Sequence, residues 1–316
     1  MQKKKIFTYT LLPLLVITLI YTIVVIRYAK KFDRNITGFI CIGDYFESPA
    51  DDKAIILKNS HGYDGQHFYT IAHDPFIRTE VSHYPDNPAY RYGRILYPFL
   101  VYIFSLGNHE AIPYMMLFIN MGAILIGSYF IIKILDHFDR SSWYALFYGF
   151  SAGFLLSTLR TLSEPTATLF VVIGIYAFLK EHLKLASFCF SLAVLARETA
   201  FLIVAAALVI VIFKNRSFKQ TLIFFLPFIA YLSWQLYIYT KFGQFSFQGG
   251  TKNVGLPLVQ IYSKIVDLLY LKKIHFSLES NAPVYQYFLE SIYLLSIVLG
   301  VIFLSKQIFK EINIIT

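Results

Sequence analysis

Leu185 to Phe213 reads LASFCFSLAVLARETAFLIVAAALVIVIF, an apolar run broken only at Arg197-Glu198. As one straight helix it would be about 43 Å long, beyond the ~30 Å hydrocarbon core of a bilayer. As two helices, each half is under-length. A charged pair at mid-bilayer is costly, so the run is read as two short helices meeting near a membrane surface. The rest of the chain agrees. Of its 316 residues, 57% are hydrophobic and only 15% charged, and the mean hydropathy is +0.57. Soluble chains carry about 25% charged residues. The composition therefore defines an integral membrane protein and excludes a disordered chain, a disulfide-rich secreted module and a soluble nucleic-acid binder. The net charge of +9 reports orientation first. Cys41 and Cys189 define neither a disulfide framework nor a zinc site.

The other apolar runs are 6–26, 111–135, 143–159, 166–179 and 221–240, with 285–304 near the end. With 185–196 and 199–213 counted separately, the expected fold is an all-α transmembrane helix bundle of about eight spans. Residues 6–26 follow Lys3, Lys4 and Lys5 in the manner of a secretory signal. The run is long for one and lacks a small-residue cleavage site, so it is read as a retained span. With the N-terminus cytoplasmic, Lys133/Arg140, Lys180/Lys184, Lys214/Arg216/Lys219 and Lys306/Lys310 all fall inside, as the positive-inside rule requires. Arg27, Lys30, Lys31 and Arg34 disagree, but long translocated loops obey the rule weakly. The chain, 1–316, reads as a single integral membrane domain with two extracytoplasmic segments, 27–94 and 241–284. No internal repeat is visible.

The first segment holds nine basic residues, nine of the 19 acids and four of the eight histidines. Within it, His61-Gly-Tyr-Asp64-Gly-Gln66-His67 leads into Phe68, Ile71 and Ala72 at helical spacing, and Pro75 ends the pattern. This predicts a short amphipathic helix lying on the membrane surface, with Asp64 as its N-cap. Asp64 is equally a carboxylate held at the water–lipid boundary, ready to take a proton from a hydroxyl. His61, Asp64 and His67 do not form a convincing metal face, because turn glycines interrupt them. A divalent ion such as Mg or Mn, shared with a substrate phosphate and held by Asp44 or Asp64, stays open.

Tyr90-Arg91-Tyr92-Gly93-Arg94-Ile95-Leu96-Tyr97-Pro98 places two guanidinium groups three residues apart, just before an apolar run. They can grip a phosphate by forked hydrogen bonds or anchor an interfacial segment. Further along, Ser163-Glu164-Pro165 reads as a helix start, with Ser163 or Glu164 as cap. Arg197 and Glu198 point in different directions on a helix, so each needs its own partner: a phosphate for Arg197, a sugar hydroxyl or a basic side chain for Glu198. In the N-in topology Asp64, Arg91, Arg94, Glu164, Arg197 and Glu198 reach one external side. That coincidence argues for one site. In the second segment, 256–271 alternates apolar and charged residues and reads as an interfacial helix, a lid or a solvated connector.

Tyr63-Asp64-Gly65-Gln66, Tyr90-Arg91 with Arg94-Ile95-Leu96-Tyr97-Pro98, Ser163-Glu164 and Ala196-Arg197-Glu198 together resemble the GT-C superfamily of polytopic glycosyltransferases. Within it the chain is similar to the bacterial cell-surface glycopolymer formation group and the mannosyltransferases of lipid-anchor assembly. The resemblance covers residues 1–240. It implies a hexosyltransferase that moves a sugar from a polyprenyl-phosphate donor to an extracytoplasmic glycan or lipid-linked acceptor. It implies Asp64 as catalytic base, with Arg91, Arg94 and Arg197 on the donor phosphate and Gln66, His67, Tyr90, Glu164 and Glu198 on the substrates. No cofactor and no nucleic acid are expected. The expected partners are the two substrates, membrane lipids and a partner subunit. The expected location is a bacterial inner membrane with the site facing outward. A transporter or flippase of a lipid-linked saccharide is the alternative. Its arginines would hold the same phosphate.

Overall fold

The structure is a computed structural model and describes residues 2–49, 53–213 and 217–249. The predicted last span at 285–304 and the 256–271 segment lie outside these residues. The fold is built from helices. The longest are α1 (Gln2–Ala29) and α5 (Ile112–His137). α1 overruns the predicted 6–26 at both ends. The middle of the chain is a series of shorter helices: α2 (Asp64–His73), α3 (Pro88–Tyr92) and α4 (Leu96–Phe104) before α5, then α6 (Ala145–Gly149), α7 (Ala152–Leu159), α8 (Glu164–Leu179), α9 (Leu183–Ala196) and α10 (Phe201–Phe213). α11 (Phe218–Ile223), α12 (Leu226–Phe242) and α13 (Ser246–Gly249) complete the described chain. The all-α expectation needs one small amendment. β1 (Ile42–Gly43) and β2 (Ile56–Leu57) form a short parallel pair in the first loop.

Among the described residues, three segments are long and apolar enough to cross a membrane: Leu11–Phe32, His109–His137 and Phe218–Phe242. Helices α8, α9 and α10 are apolar but only 16, 14 and 13 residues long. At ~1.5 Å per residue they fall short of a ~30 Å core. The break at Arg197 is real. This residue is extended (φ −161°, ψ 125°) and separates α9 from the 3₁₀ turn Glu198–Ala200 that leads into α10.

The apolar run 143–159, by contrast, is not one helix. It divides into α6 and α7 at Phe150-Ser151. The Ser151 hydroxyl accepts a hydrogen bond from the Phe154 amide, 3.3 Å, and so starts a new helix inside an apolar stretch. The end of α6 is pinned from the other side. Tyr21 of α1 donates to the Gly149 carbonyl, 2.8 Å, and Ile17 packs so closely that a Cβ on Gly149 would strike it.

The predicted surface helix is also corrected. Every residue of α2 from Gly65 to Ala72 is buried, because it lies between α4, α5 and the β1 strand rather than along a bilayer face. Its N-cap is Tyr63, not Asp64. Asp64 takes the first helical position, where its carboxylate is drawn to Arg91. Ser163 precedes α8 but makes no side-chain cap, and its hydroxyl is buried without a hydrogen-bond partner among the described residues.

Helix α8 gives the bundle two chemically distinct ends. Glu164 starts it and Lys180 follows it. At the Lys180 end, the Lys180 ammonium lies 3.3 Å from the His137 ring at the end of α5, so the basic 133–140 and 180–184 loops share that end. The acidic and arginine-rich motifs collect at the Glu164 end.

Candidate active site

Four separate stretches of chain meet at that end. Asp64 stands on the first turn of α2. Arg91 and Arg94 flank the end of α3, whose start is capped by Asn87 accepting from the Tyr90 amide. Glu164 opens α8, and Arg197 and Glu198 occupy the break before α10.

Their side chains pair across these elements. Arg91 donates from Nε and Nη2 to both oxygens of Asp86, at 2.7 and 2.9 Å, and its Nη1 reaches Asp64 at 2.9 Å. Arg94 grips Glu198 with Nε and Nη2, at 3.1 and 2.7 Å, and Nη2 also meets the Tyr90 hydroxyl at 2.9 Å. Arg197 pairs with Glu164, whose second oxygen lies 3.5 Å from the Ser157 hydroxyl. The pairs are not isolated. Asp64 is close enough to act on Arg94, and Arg197 on Glu198. The Tyr90 ring lies beneath both neighbouring guanidinium groups, 5.5 Å from Arg91 and 5.2 Å from Arg94. Three guanidinium groups and four carboxylates thus form one half-exposed charged patch.

The structure therefore brings together Asp64, Tyr90, Arg91, Arg94, Glu164, Arg197 and Glu198. It gives each guanidinium a carboxylate partner. Arg91 and Arg94 do not converge on one point, as two forks on a single phosphate would; they hold different acids. Asp64 carries 45% of its side-chain exposure while its partner Arg91 is largely covered, so it is the most open of the paired acids.

Gln66 and His67 are placed differently. Gln66 faces inward, accepts from the Gly43 amide at 3.0 Å and donates to the His61 carbonyl. Both ends of its amide are spent on the backbone. His67 is buried, 3.6 Å from Asp86 and against the edge of Phe46. Burial, assisted by Arg91, pushes its pKa down to about 4, so the ring is neutral at pH 7. Burial pushes Asp86 upward, but the hydrogen bond and charge of Arg91, with His67 and the Asn87 amide, together outweigh it and hold its carboxyl below the usual range. The two carboxylates considered for a substrate-shared ion are engaged separately. Asp44 accepts from the Asn59 and Ser60 amides, 2.9 and 3.0 Å, which lower its pKa. Among the described residues no three histidine, cysteine or acidic side chains converge as a metal-binding group.

Two residues of this region escape a reading by motif. Asp86 sets the orientation of Arg91, and its signal was an acid five residues ahead of an arginine. Arg160, at the end of α7, donates 2.6 Å to the Tyr28 hydroxyl and contacts the Cys41 sulfur. Its signal was a lone arginine at the end of the apolar run 143–159. Comparison with known proteins adds no further constraint: no family model, no curated protein and no solved structure matches the chain.

Proposed function

We propose that the chain is a membrane glycosyltransferase that moves a sugar from a polyprenyl-phosphate donor to a hydroxyl of an extracytoplasmic glycan or lipid-linked acceptor. We place it in a bacterial inner membrane with this site facing outward. One observation carries the reading. Asp64, Arg91, Arg94, Glu164, Arg197 and Glu198, which lie up to 134 positions apart in the sequence, assemble into one patch at one end of a helical, apolar chain.

The chemistry follows from the residue types. Asp64 accepts the proton of the acceptor hydroxyl. The hydroxyl oxygen attacks the anomeric carbon on the face opposite the lipid phosphate. The carbon–oxygen bond to phosphate breaks, and the leaving oxygen keeps the electron pair. The new charge is met by arginine, whose planar fork suits phosphate as well as carboxylate. The carboxylate partners keep each guanidinium oriented and neutralised until a phosphate competes for it. The apolar exterior holds the donor's lipid tail while the sugar stays at the bilayer boundary.

The test is release of lipid phosphate from a panel of radiolabelled polyprenyl-phosphate sugars by the purified chain. Asp64→Asn is expected to lower turnover roughly 10²–10⁴-fold, since an amide cannot take the proton. It should leave the fold intact, because a half-exposed ion pair contributes only about 0–1 kcal/mol. Normal turnover in Asp64→Asn removes it as the base. Arg94→Lys is expected to weaken donor binding about ten-fold, because lysine keeps the charge and loses the fork. Transbilayer movement of the intact lipid-linked sugar, without phosphate release, would instead establish the flippase.

A further inference from the structure

Helix α12 has two faces. Ile229, Leu232, Leu236 and Tyr239 are exposed and follow one another at helical spacing, while Gln235 and Ile238 are buried on the other side with Trp234 half-buried beside them. A glutamine inside an apolar helix is costly unless both ends of its amide are satisfied. Gln235 meets this need with a single residue. Its Nε2 donates to the Ser246 hydroxyl at 2.7 Å, and its Oε1 accepts from the Ser246 amide at 2.9 Å. The chain turns back to make this pair at Gly243, which ends α12 in the left-handed region, φ 70°, where glycine is favoured. α13 then packs against α3.

What α12 and α13 hold is the segment that carries Arg91 and Arg94. Trp234 donates from Nε1 to the Tyr92 carbonyl at 2.8 Å, across 142 positions. The next residue, Gly93, faces Ser246: a Cβ there would come within 2.7 Å of the Ser246 hydroxyl and 2.8 Å of its Cβ. Gly93 has ordinary helical torsions, φ −56° and ψ −26°, so the close approach and not the backbone calls for glycine. At the other end of α3, a Cβ on Gly249 would strike the capping residue Asn87. Arg94 follows Gly93 at once, and its fork reaches Glu198. Tyr231, one turn before Gln235, is close enough to interact with Ser246, Arg94 and Glu198 alike. The two residues before Arg94 are therefore gripped from α12 and α13, and the transfer chemistry gives Trp234, Gln235 and Ser246 no other work.

We propose that Trp234, Gln235 and Ser246 are positioning residues for Arg94. Trp234 holds the Tyr92 carbonyl, Gln235 holds Ser246, and Ser246 blocks Gly93, so the backbone that aims the guanidinium cannot shift. A bidentate fork needs such support, because a binding constellation works only when held to within about 0.5 Å of its productive geometry. The inference rests on the reading of Arg94 as a grip on the donor phosphate and adds the residues that act on it through the chain.

Calorimetry on the full chain in neutral detergent, with a short-chain prenyl monophosphate as probe, gives the affinity and the binding-competent fraction together. Gly93→Ala, which deletes no hydrogen bond, should weaken binding about ten-fold, and Trp234→Phe about five-fold. Ser246→Gly removes both atoms that the new methyl would meet. Gly93→Ala should therefore cost little further in a Ser246→Gly chain, and the two losses should not multiply. Leu236→Ala, on the outward face of α12, should change nothing. The same variants are followed by hydrogen exchange without ligand. Protection should fall over residues 91–94, where the Gly93 and Arg94 amides bond to Tyr90 and Arg91, and should stay in α5. Losses that multiply overturn the proposal, as does unchanged affinity in both Gly93→Ala and Trp234→Phe. A smaller binding-competent fraction at unchanged affinity also overturns it, since that is what a purely structural role gives. If the unaltered chain binds no prenyl phosphate while exchange in the variants still rises over 91–94 alone, the transferase reading fails and the positioning of Arg94 stands.

Discussion

Helices α2 and α10 have exchanged the usual rules of burial. α2 carries glutamine, histidine and threonine, and buries them: Gln66 and His67 are each 4% exposed. α10 is apolar throughout and turns much of that surface outward, with Leu202 75% and Phe213 81% exposed. In water such an arrangement would be unstable, because apolar area drives burial and polar groups accept solvent. It becomes sensible if α10 faces hydrocarbon, where an outward leucine loses nothing and a polar group must be satisfied internally. The polar residues of α2 are satisfied in this way. Thr70 donates to the Gln66 carbonyl at 2.9 Å, and the Gln66 amide is spent on Gly43 and His61. The two helices thus report two different surroundings, and substitutions in each should give opposite results.

The strongest way to break the contrast is to put a leucine where it would ordinarily help. Gln66→Leu adds apolar character to a buried position, yet it strands the Gly43 amide and the His61 carbonyl. Each unsatisfied buried group costs about 1–3 kcal/mol, so the variant should lose roughly 2–6 kcal/mol. Thermal unfolding of the purified chain measures this. A stability gain would mean that the polar interior of α2 is not holding the loop.

A somewhat smaller effect comes from protons. His67 and His73 both have pKa values lowered to about 4, chiefly by burial. Arg91 adds to the shift at His67, and the nearby Asp86 and Asp64 oppose it. At His73 the neighbouring His109 adds, and the Tyr69 carbonyl opposes. The folded values lie below the unfolded value of about 6.5. The unfolded chain therefore binds more protons in this window. Stability is full above about pH 6.5 and declines as pH falls toward 4, by on the order of 3 kcal/mol for each histidine. His67→Gln should flatten that decline. An unchanged pH profile in this variant would show that His67 is not buried neutral.

These contrasts explain what could be read from residues and what could not. The break at Arg197 was legible because two charges interrupt an apolar run. Asp64, Arg91, Glu164 and Glu198 stood out as charges at the edges of apolar runs, and the structure brings them together at one end. The division at Phe150-Ser151 was hidden: a serine inside an apolar run is chemically unremarkable until its hydroxyl caps the Phe154 amide. The burial of α2 was hidden for a similar reason. Phe68, Ile71 and Ala72 show one apolar face, whereas the opposite face is covered by its own hydrogen bonds and by Arg91 and Asp86. Partner choice was the least legible of all. Arg94 and Glu198 are 104 positions apart, and nothing local to either says that they meet. Arg160 went unread because its partners, Tyr28 and Cys41, come from the far side of the first loop.

The smallest expected effect is the most informative about α10. Leu202→Ala removes a large side chain, and in a packed core that change costs about 2–5 kcal/mol. At an outward position without a protein neighbour the cost should stay within about 0.5 kcal/mol. The same substitution at Leu162, buried in the cluster that includes Phe68, Tyr97 and Met116, should show the full core penalty. The pair is best compared in lipid nanodiscs, so that the solvent of α10 is hydrocarbon in both measurements. Agreement with the two values would fix α10 as a lipid-facing helix. A core-sized loss at Leu202 would mean that protein, not lipid, covers this face.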